Sequence, residues 1–252
     1  MHSARKSPGF PSDVHTLKPI ELASDLDRIG LTAFTTTREA GDFSWRSREP
    51  AGDVLERWLS LAQHLPRDVQ RVVHSPQIHG SVILDHQDNW QGLLRAKEAD
   101  GHFSSAPGTM MVVTLADCVP VFIGHPSGAA AILHSGWKGT EANIAAEGVR
   151  CFTNIGFRAQ DLVAHCGPAI CGQCYEVGAD VYGRLAGRNP RVSTPSPSPS
   201  TVDLRALIAR QLERAGVRDV SVSQSCTRCD NGRFFSHRAG DSGRHVGVVV
   251  SR

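Results

Sequence analysis

Aromatic residues are scarce in this 252-residue chain, 6% in all with only two tyrosines. That leaves few ring faces of the kind on which single-stranded nucleic-acid binders stack bases. An excess of one charge is also missing. The 27 Lys and Arg against 25 Asp and Glu leave +2, which excludes a polybasic tether to nucleic acid or to an anionic membrane. Apolar runs such as Met110–Ala116 fall far short of the ~20 residues that span a bilayer. The opening MHSARKSPGFPSD has no apolar core of the kind an export signal carries. The expectation is a cytoplasmic protein with neither membrane nor nucleic acid as partner.

Several catalytic signatures are absent as well. There is no Gly-x4-Gly-Lys-Ser/Thr and no Gly-x-Ser-x-Gly, the marks of phosphate-cradling loops and of serine hydrolases. No His-x-Glu accompanies a Pro-Cys-x-x-Cys, so the zinc nucleobase-deaminase signature is missing. None of the twelve histidines forms a His-x-His pair, the ligand spacing of a true multicopper oxidase.

What is present is sulfur and imidazole in a globular background of 40% hydrophobic and 21% charged residues, enough to bury a sizeable core. The seven cysteines are an odd number, so they cannot all pair. Without an export signal, reduced thiols serving as ligands, nucleophiles or core residues are the expectation.

The pattern predicts an α+β fold. A short helix falls within Glu21–Gly30, a strand over Leu31–Thr37, and an amphipathic helix over Asp53–Leu65 that Pro66 ends. Strands follow at Gln70–His74, Ser81–Leu84, Met110–Leu115, Val119–Ile123 and Ala129–His134. A helix over Thr140–Ile155, a strand over Asp161–His165 and helices near Val177–Leu185 and over Asp203–Ala215 complete the regular elements, with a few strands at the end. Residues 1–29 read as a polar N-terminal extension and 30–252 as one domain. The Pro/Ser-rich stretch at 187–200 is a surface loop within it, because the roughly 50 residues beyond are marginal for an independent core.

The densest chemistry lies in MVVTLADCVPVFIGHPSGAAAILHSGWKGT, residues 111–140. GHPSG is a turn cluster between two apolar runs, so the runs should pair as a hairpin. Centred on Pro126, the turn pairs residues whose numbers sum to 252 and sets Cys118 opposite His134, with Cβ atoms ~4.5–5.5 Å apart. Such a pair can share one zinc ion, and His79, in a turn between two predicted strands, is the third candidate ligand. Three protein ligands leave a tetrahedral position open, the catalytic pattern. The alternative is that Cys118 and His134 are ordinary core residues. A rival metal site is offered by Cys171-x-x-Cys174 and Cys226-x-x-Cys229, but 51 residues separate the halves, against ~15–20 in a compact zinc ribbon.

The blocks QIHG (77–80), ADG (99–101), LADCVPV (115–121), LHSGWKGT (133–140), CGPAIC and CYEVG (166–178) and CTRCDNGRFFSHR (226–238) occur in this order. Together the chain, from about residue 30 to its end, resembles the YfiH/YlmD-type laccase domain family, also called the multicopper polyphenol oxidase or purine nucleoside phosphorylase family. The resemblance implies a single domain of mixed β-sheets flanked by helices, similar to bacterial toxin-type cysteine deamidases. It implies a zinc ion held by His79, Cys118 and His134, with copper as an alternative ion. The implied activities are phosphorolysis of adenosine, inosine, guanosine and methylthioadenosine, and deamination of adenosine, so the partners would be purine nucleosides and phosphate. Departures from the family pattern are Lys138 in place of arginine, Cys171 in place of glycine, His237 in place of tyrosine, and an unrecognisable loop after Arg38.

On this reading His79, Cys118 and His134 carry the catalytic centre, Asp117 orients a ligand or acts as a base, and Arg38 and Lys138 are the expected clamp for phosphate. Three alternatives use the same residues. Cys118 as nucleophile with His134 as base would make a metal-independent hydrolase or amidase of the peptidoglycan-editing type. A copper ion would make a polyphenol oxidase. A zinc ion acting as a structural staple would make a non-enzymatic binding module.

Overall fold

The computed structural model describes residues 20–63, 69–186 and 200–252. The chain opens with β1 (Ile20–Leu22), α1 (Ser24–Arg28), β2 (Thr32–Thr36), α2 (Ala51–Gln63) and β3 (Arg71–His74). Then come β4 (Ile83–Asp85), β5 (Gly92–Arg95), β6 (Gly101–Ser104), β7 (Thr109–Leu115), β8 (Val119–Gly124) and β9 (Ala130–Ser135). Next are α3 (Trp137–Glu141), α4 (Ile144–Asn154), β10 (Val163–Cys166), β11 (Glu176–Val177) and α5 (Ala179–Ala186). The described residues end with β12 (Ser200–Thr201), α6 (Leu204–Arg214), β13 (Asp219–Val222) and β14 (His245–Val250).

Two six-stranded mixed sheets form the centre. One has the order β1-β2-β14-β7-β3-β5 and the other β13-β10-β8-β9-β6-β4, while β11 and β12 pair separately. This is the expected α+β class. The central strands are buried on both faces, and their period of two divides each strand between two cores. Met110 and Val112 of β7 face Val54, Trp58 and Leu61 of α2, with Val246, Val248 and Val250 of β14 beside them. Met111, Val113 and Leu115 face the other way, against Phe122, Ala130 and Ile132 of the second sheet. The far side of that sheet carries Val119, Val121 and Ile123, on which α4 and α6 lay Ile144, Val149, Phe152, Leu204 and Ile208. The layers therefore run helix, sheet, sheet, helices. Each large apolar side chain buried in them contributes roughly 1.5–3 kcal/mol. Among the described residues no helix is long and apolar enough to cross a membrane.

Three connections carry the chain from the first sheet to the second, β3 to β4, β5 to β6 and β7 to β8, while β4 to β5 and β6 to β7 return it. They form a seam, and the functional centre described below lies on it.

Several expectations need correction. The β8–β9 hairpin pairs Pro120 with His134 and Val119 with Ser135, so partner numbers sum to 254 and Cys118 is not opposite His134. The turn is His125–Ala129, closed by the His125 N–H on the Ala129 carbonyl at 2.9 Å. Its left-handed position falls on Gly128, φ +102°, where a Cβ would collide with the Arg252 carbonyl. Moving a pairing by two residues keeps every side chain on its face, so Cys118 remains diagonal to His134. The helix expected over 140–155 is two helices, because Asn143 between them has φ +60°. Strands β5 and β6 were not expected; β6 is buried throughout although it reads Gly-His-Phe-Ser, and a polar strand inside the core gives no alternation signal. Residues 20–28 supply β1, paired to β2, and α1 with buried Leu26. Residues 1–19, Pro66 and 187–199 lie outside the described residues.

Candidate metal and catalytic centre

His79 sits in the β3–β4 connection, Asp100 in β5–β6, Cys118 in β7–β8, and His134 near the end of β9. The ligating atoms of His79, Cys118 and His134 lie within 4.8 Å of one another, and the two imidazole rings meet edge to face with centroids 4.8 Å apart. These are the three residues that the sequence singled out; the fold brings His79 to the other two from a connection remote in sequence.

The centre is organised by one carboxylate. Asp100 is 0% exposed. Its Oδ1 accepts from the His79 backbone N–H at 2.9 Å and lies 2.9 Å from His134 Nδ1. Its Oδ2 accepts from the Gly80 N–H at 2.6 Å and the Ile78 N–H at 3.3 Å. This leaves Nε2 of His134 for the centre, the arrangement in which a carboxylate fixes a metal-ligating imidazole. The His79 loop is held a second time by Gln77, which donates to the Thr114 carbonyl at 2.8 Å and accepts from the Thr114 N–H at 2.8 Å and hydroxyl at 2.7 Å.

Backbone strain concentrates here. Among the described residues three that are not glycine have positive φ, and two of them are His79 at +61° and Asp117 at +84°. Such conformations persist only where the surroundings impose them. Gly136 lets the chain pass close: a Cβ there would lie 3.0 Å from Cys118 Sγ and 3.3 Å from His79 Cδ2.

The electrostatics follow from the geometry. Burial pushes the Cys118 thiol up, but the His134 and His79 rings outweigh it and hold the thiol at about 6. Burial likewise pushes His134 down, while Cys118 and Asp100 outweigh it and hold the imidazole at about 9. Burial of Asp100 is overcome by the hydrogen bonds from His134, Gly80 and His79, and its carboxyl stays below the usual carboxylate range. In the metal-free centre each group therefore favours the charged form of the other, a thiolate beside an imidazolium. A thiolate and two imidazoles so close together are also a donor set suited to zinc or copper.

All three residues line a cleft of about 480 Å³. Its other walls include Trp45, Arg46, His74, Arg95, His237 and Arg244. Trp45 is 42% exposed and stacks on Trp58 and His74 at ring separations of 5.5 and 5.4 Å. Arg46 and Arg95 are exposed, and neither forms an ion pair among the described residues. Arg244 is more committed, its guanidinium donating to the Ser242 and Gly243 carbonyls.

The remaining sequence candidates lie elsewhere. Arg38 pairs with Asp241 at 2.6 Å, donates to the Asn231 and Phe234 carbonyls and covers the Phe235 ring. Lys138 is exposed on α3, 5.6 Å from the Trp137 ring centroid. Neither is among the cleft residues. Asp117, 7% exposed, accepts from the Thr227 hydroxyl at 2.6 Å and the Arg238 backbone N–H at 2.7 Å, which occupies both carboxylate oxygens. Sequence reasoning missed Asp100, Arg46 and Arg95. Only Asp100 carried a signal, as the carboxylate of the ADG block.

Fold and centre together define an α+β protein with a Cys/His/His cluster, competent to hold a metal ion, opening into a ligand-sized cleft. The chain belongs to the family described as multi-copper polyphenol oxidoreductase laccase, which it matches over residues 34–252, and it is an enzyme of that laccase-like group. It is 35% identical over 204 residues to a purine nucleoside phosphorylase of Streptomyces coelicolor, covering 80% of this chain and 83% of that protein. It is 30% identical over 247 residues to adenosine deaminase RL5 from an unknown prokaryotic organism, covering 88% and 93%. The crystal structure of YfiH from Bacillus licheniformis superposes with a TM-score of 0.81 at 26% identity, covering 92% of this chain and 96% of the other. The expected YfiH-like fold is the one found.

Proposed function

We propose that the protein is a zinc-dependent purine nucleoside enzyme, cleaving adenosine, inosine, guanosine and methylthioadenosine with phosphate and deaminating adenosine in the same cleft. The observation that carries this reading is the convergence of His79, Cys118 and His134 on a cleft whose rim is cationic and aromatic. These three side chains would hold the zinc ion. When bound with an open position, such an ion acts as a Lewis acid and brings a water molecule to a pKa of ~7. The chain's own residues do the rest. Asp100 keeps His134 in one tautomer and orientation. Trp45 offers exposed indole surface for a planar purine, and Arg46 and Arg95 supply the positive charge that a phosphate dianion needs. In phosphorolysis a phosphate oxygen bonds ribose C1′ as the C1′–N9 bond breaks and the purine leaves with a proton. In deamination water adds at C6 and ammonia departs.

Two relatives named for a phosphorylase and for a deaminase support both reactions. A copper-based phenol oxidase fits less well. Only two groups of three or more candidate ligands gather among the described residues, and neither supplies the histidine pairs of a trinuclear cluster. The test is to incubate the zinc-loaded protein with adenosine, with and without phosphate, and to separate the products by chromatography. Adenine with ribose 1-phosphate, and inosine with ammonia, are expected. Turnover of neither, with the zinc ion in place, would overturn the assignment.

The thiolate–imidazolium pair favours a second reading, in which Cys118 attacks an amide carbonyl and His134 protonates the leaving amine without metal. Metal content separates the two: full activity in chelator-treated, metal-free protein selects the cysteine hydrolase.

A further inference from the structure

The functions above make no use of four other cysteines. Cys171 and Cys174 lie between β10 and β11, Cys226 and Cys229 between β13 and β14, yet their four sulfurs lie within 4.8 Å of one another. The backbone brings the distant halves together. Ala169 and Cys226 form a parallel bridge, and the Thr227 N–H donates to the Ala169 carbonyl at 3.2 Å. The Cys171 and Cys229 N–H groups both donate to Cys226 Sγ, at 3.2 and 3.4 Å, and such donors favour a thiolate acceptor. All four thiols are free. Cys174 and Cys229 place their sulfurs 3.4 Å apart. That is well beyond the ~2.05 Å of an S–S bond and near the ~3.8 Å edge of a tetrahedron whose centre lies ~2.3 Å from each sulfur.

We propose that Cys171, Cys174, Cys226 and Cys229 form a closed tetrathiolate zinc site, separate from the cleft, that pins these two connections together. Four sulfur ligands complete the tetrahedron and leave no position for substrate, the structural rather than the catalytic pattern. Binding replaces four thiol protons with one divalent ion and leaves a local charge of −2. Arg228, whose guanidinium donates to the Cys174 carbonyl at 3.2 Å, supplies opposite charge beside it. The staple bears on the cleft through Asp117. Thr227, between two of the cysteines, donates to its carboxylate at 2.6 Å, and the Ile170 N–H, next to Cys171, donates to its carbonyl at 3.1 Å. Cys118 is the following residue.

The test reads metal and thiols rather than turnover, so it is independent of the activity proposed above. It uses the Cys118→Ala chain, whose cleft retains no sulfur ligand, purified under reducing conditions with zinc supplied. Elemental analysis should find one zinc per chain. Cobalt exchanged into the site should give intense near-ultraviolet thiolate charge-transfer bands, and adding Cys229→Ser should abolish them. Because Cys229 is exposed, that change leaves the core intact. A second readout needs no further variant: alkylation of Cys171, Cys174, Cys226 and Cys229 should be slow with zinc and fast after chelation. Absence of zinc and of cobalt–thiolate bands, equal alkylation with and without chelator, or a Cys174–Cys229 disulfide in the reduced, zinc-supplied protein would each overturn the proposal.

Discussion

The cleft cluster and the four-cysteine cluster each gather ligands from distant parts of the chain, but they are held in different ways. His79, Cys118 and His134 are positioned by side chains, chiefly the buried Asp100 carboxylate, which meets His134 and three backbone N–H groups. The four cysteines are positioned by backbone, through the Ala169–Cys226 bridge and N–H groups on sulfur. The first offers three candidate ligands and faces a cleft, and the second offers four. The difference teaches that exposure of one coordination position demands rigidity elsewhere. An open site cannot rely on a full shell to fix its ligands, so the protein supplies a carboxylate behind them.

Five substitutions test that contrast. Cys118→Ala should have the largest effect, with activity falling to background and the cleft metal lost. The fold should survive, since a small truncation costs ~1 kcal/mol, and metal analysis beside the nucleoside assay checks both. A variant that kept full zinc and still cleaved adenosine would break the assignment of the open cluster. Asp100→Asn should come next. It turns an acceptor oxygen into a donor facing N–H groups and should cost about 3–5 kcal/mol in urea denaturation, with a ~10–100-fold loss of zinc affinity in chelator competition. Unchanged affinity would show that the carboxylate is scaffolding only.

Arg95→Ala and Arg46→Ala touch neither cluster. Losing a charge-assisted hydrogen bond of about 1.5 kcal/mol predicts a ~10-fold higher KM for phosphate in phosphorolysis, with deamination unchanged. Equal losses in both reactions would remove these residues from the phosphate site. Thr227→Val should be smallest. It cuts the link from the cysteine loop to Asp117 at a cost of about 1 kcal/mol, and a few-fold fall in kcat without zinc loss would place the coupling between the two clusters there. Wild-type kcat would show them to be independent.

Much of the second sheet was legible because β8 and β9 are apolar runs around a turn cluster, and the hairpin carried Cys118 and His134 with it. The register was not legible, since the choice between a turn centred on Pro126 and one centred on Ser127 depends on where Gly128 meets Arg252, a tertiary contact. Asp100 escaped notice because a carboxylate before glycine reads as an exposed turn, whereas here it is buried among donors. Arg46, between β2 and α2, and Arg95, at the end of β5, reach the cleft with no shared spacing. The cysteine halves were set aside for the 51 residues between them, but sequence distance says little once β10 and β13 lie side by side in one sheet.

The seam between the sheets also fixes when the cleft can exist during folding. His79, Asp100 and Cys118 each lie on a strand connection that leaves one sheet and enters the other. The second sheet alone brings Cys118 and His134 together, but the cleft beside them is also walled by His74, Arg95 and Thr114 of the first sheet, so it takes shape only as the sheets dock, a late step set by contacts distant in sequence. A substrate that fills the cleft binds the docked state alone. At a hundred times its Kd it would add about 2.7 kcal/mol to that docking, so occupancy of the cleft acts as a latch on the assembled sandwich.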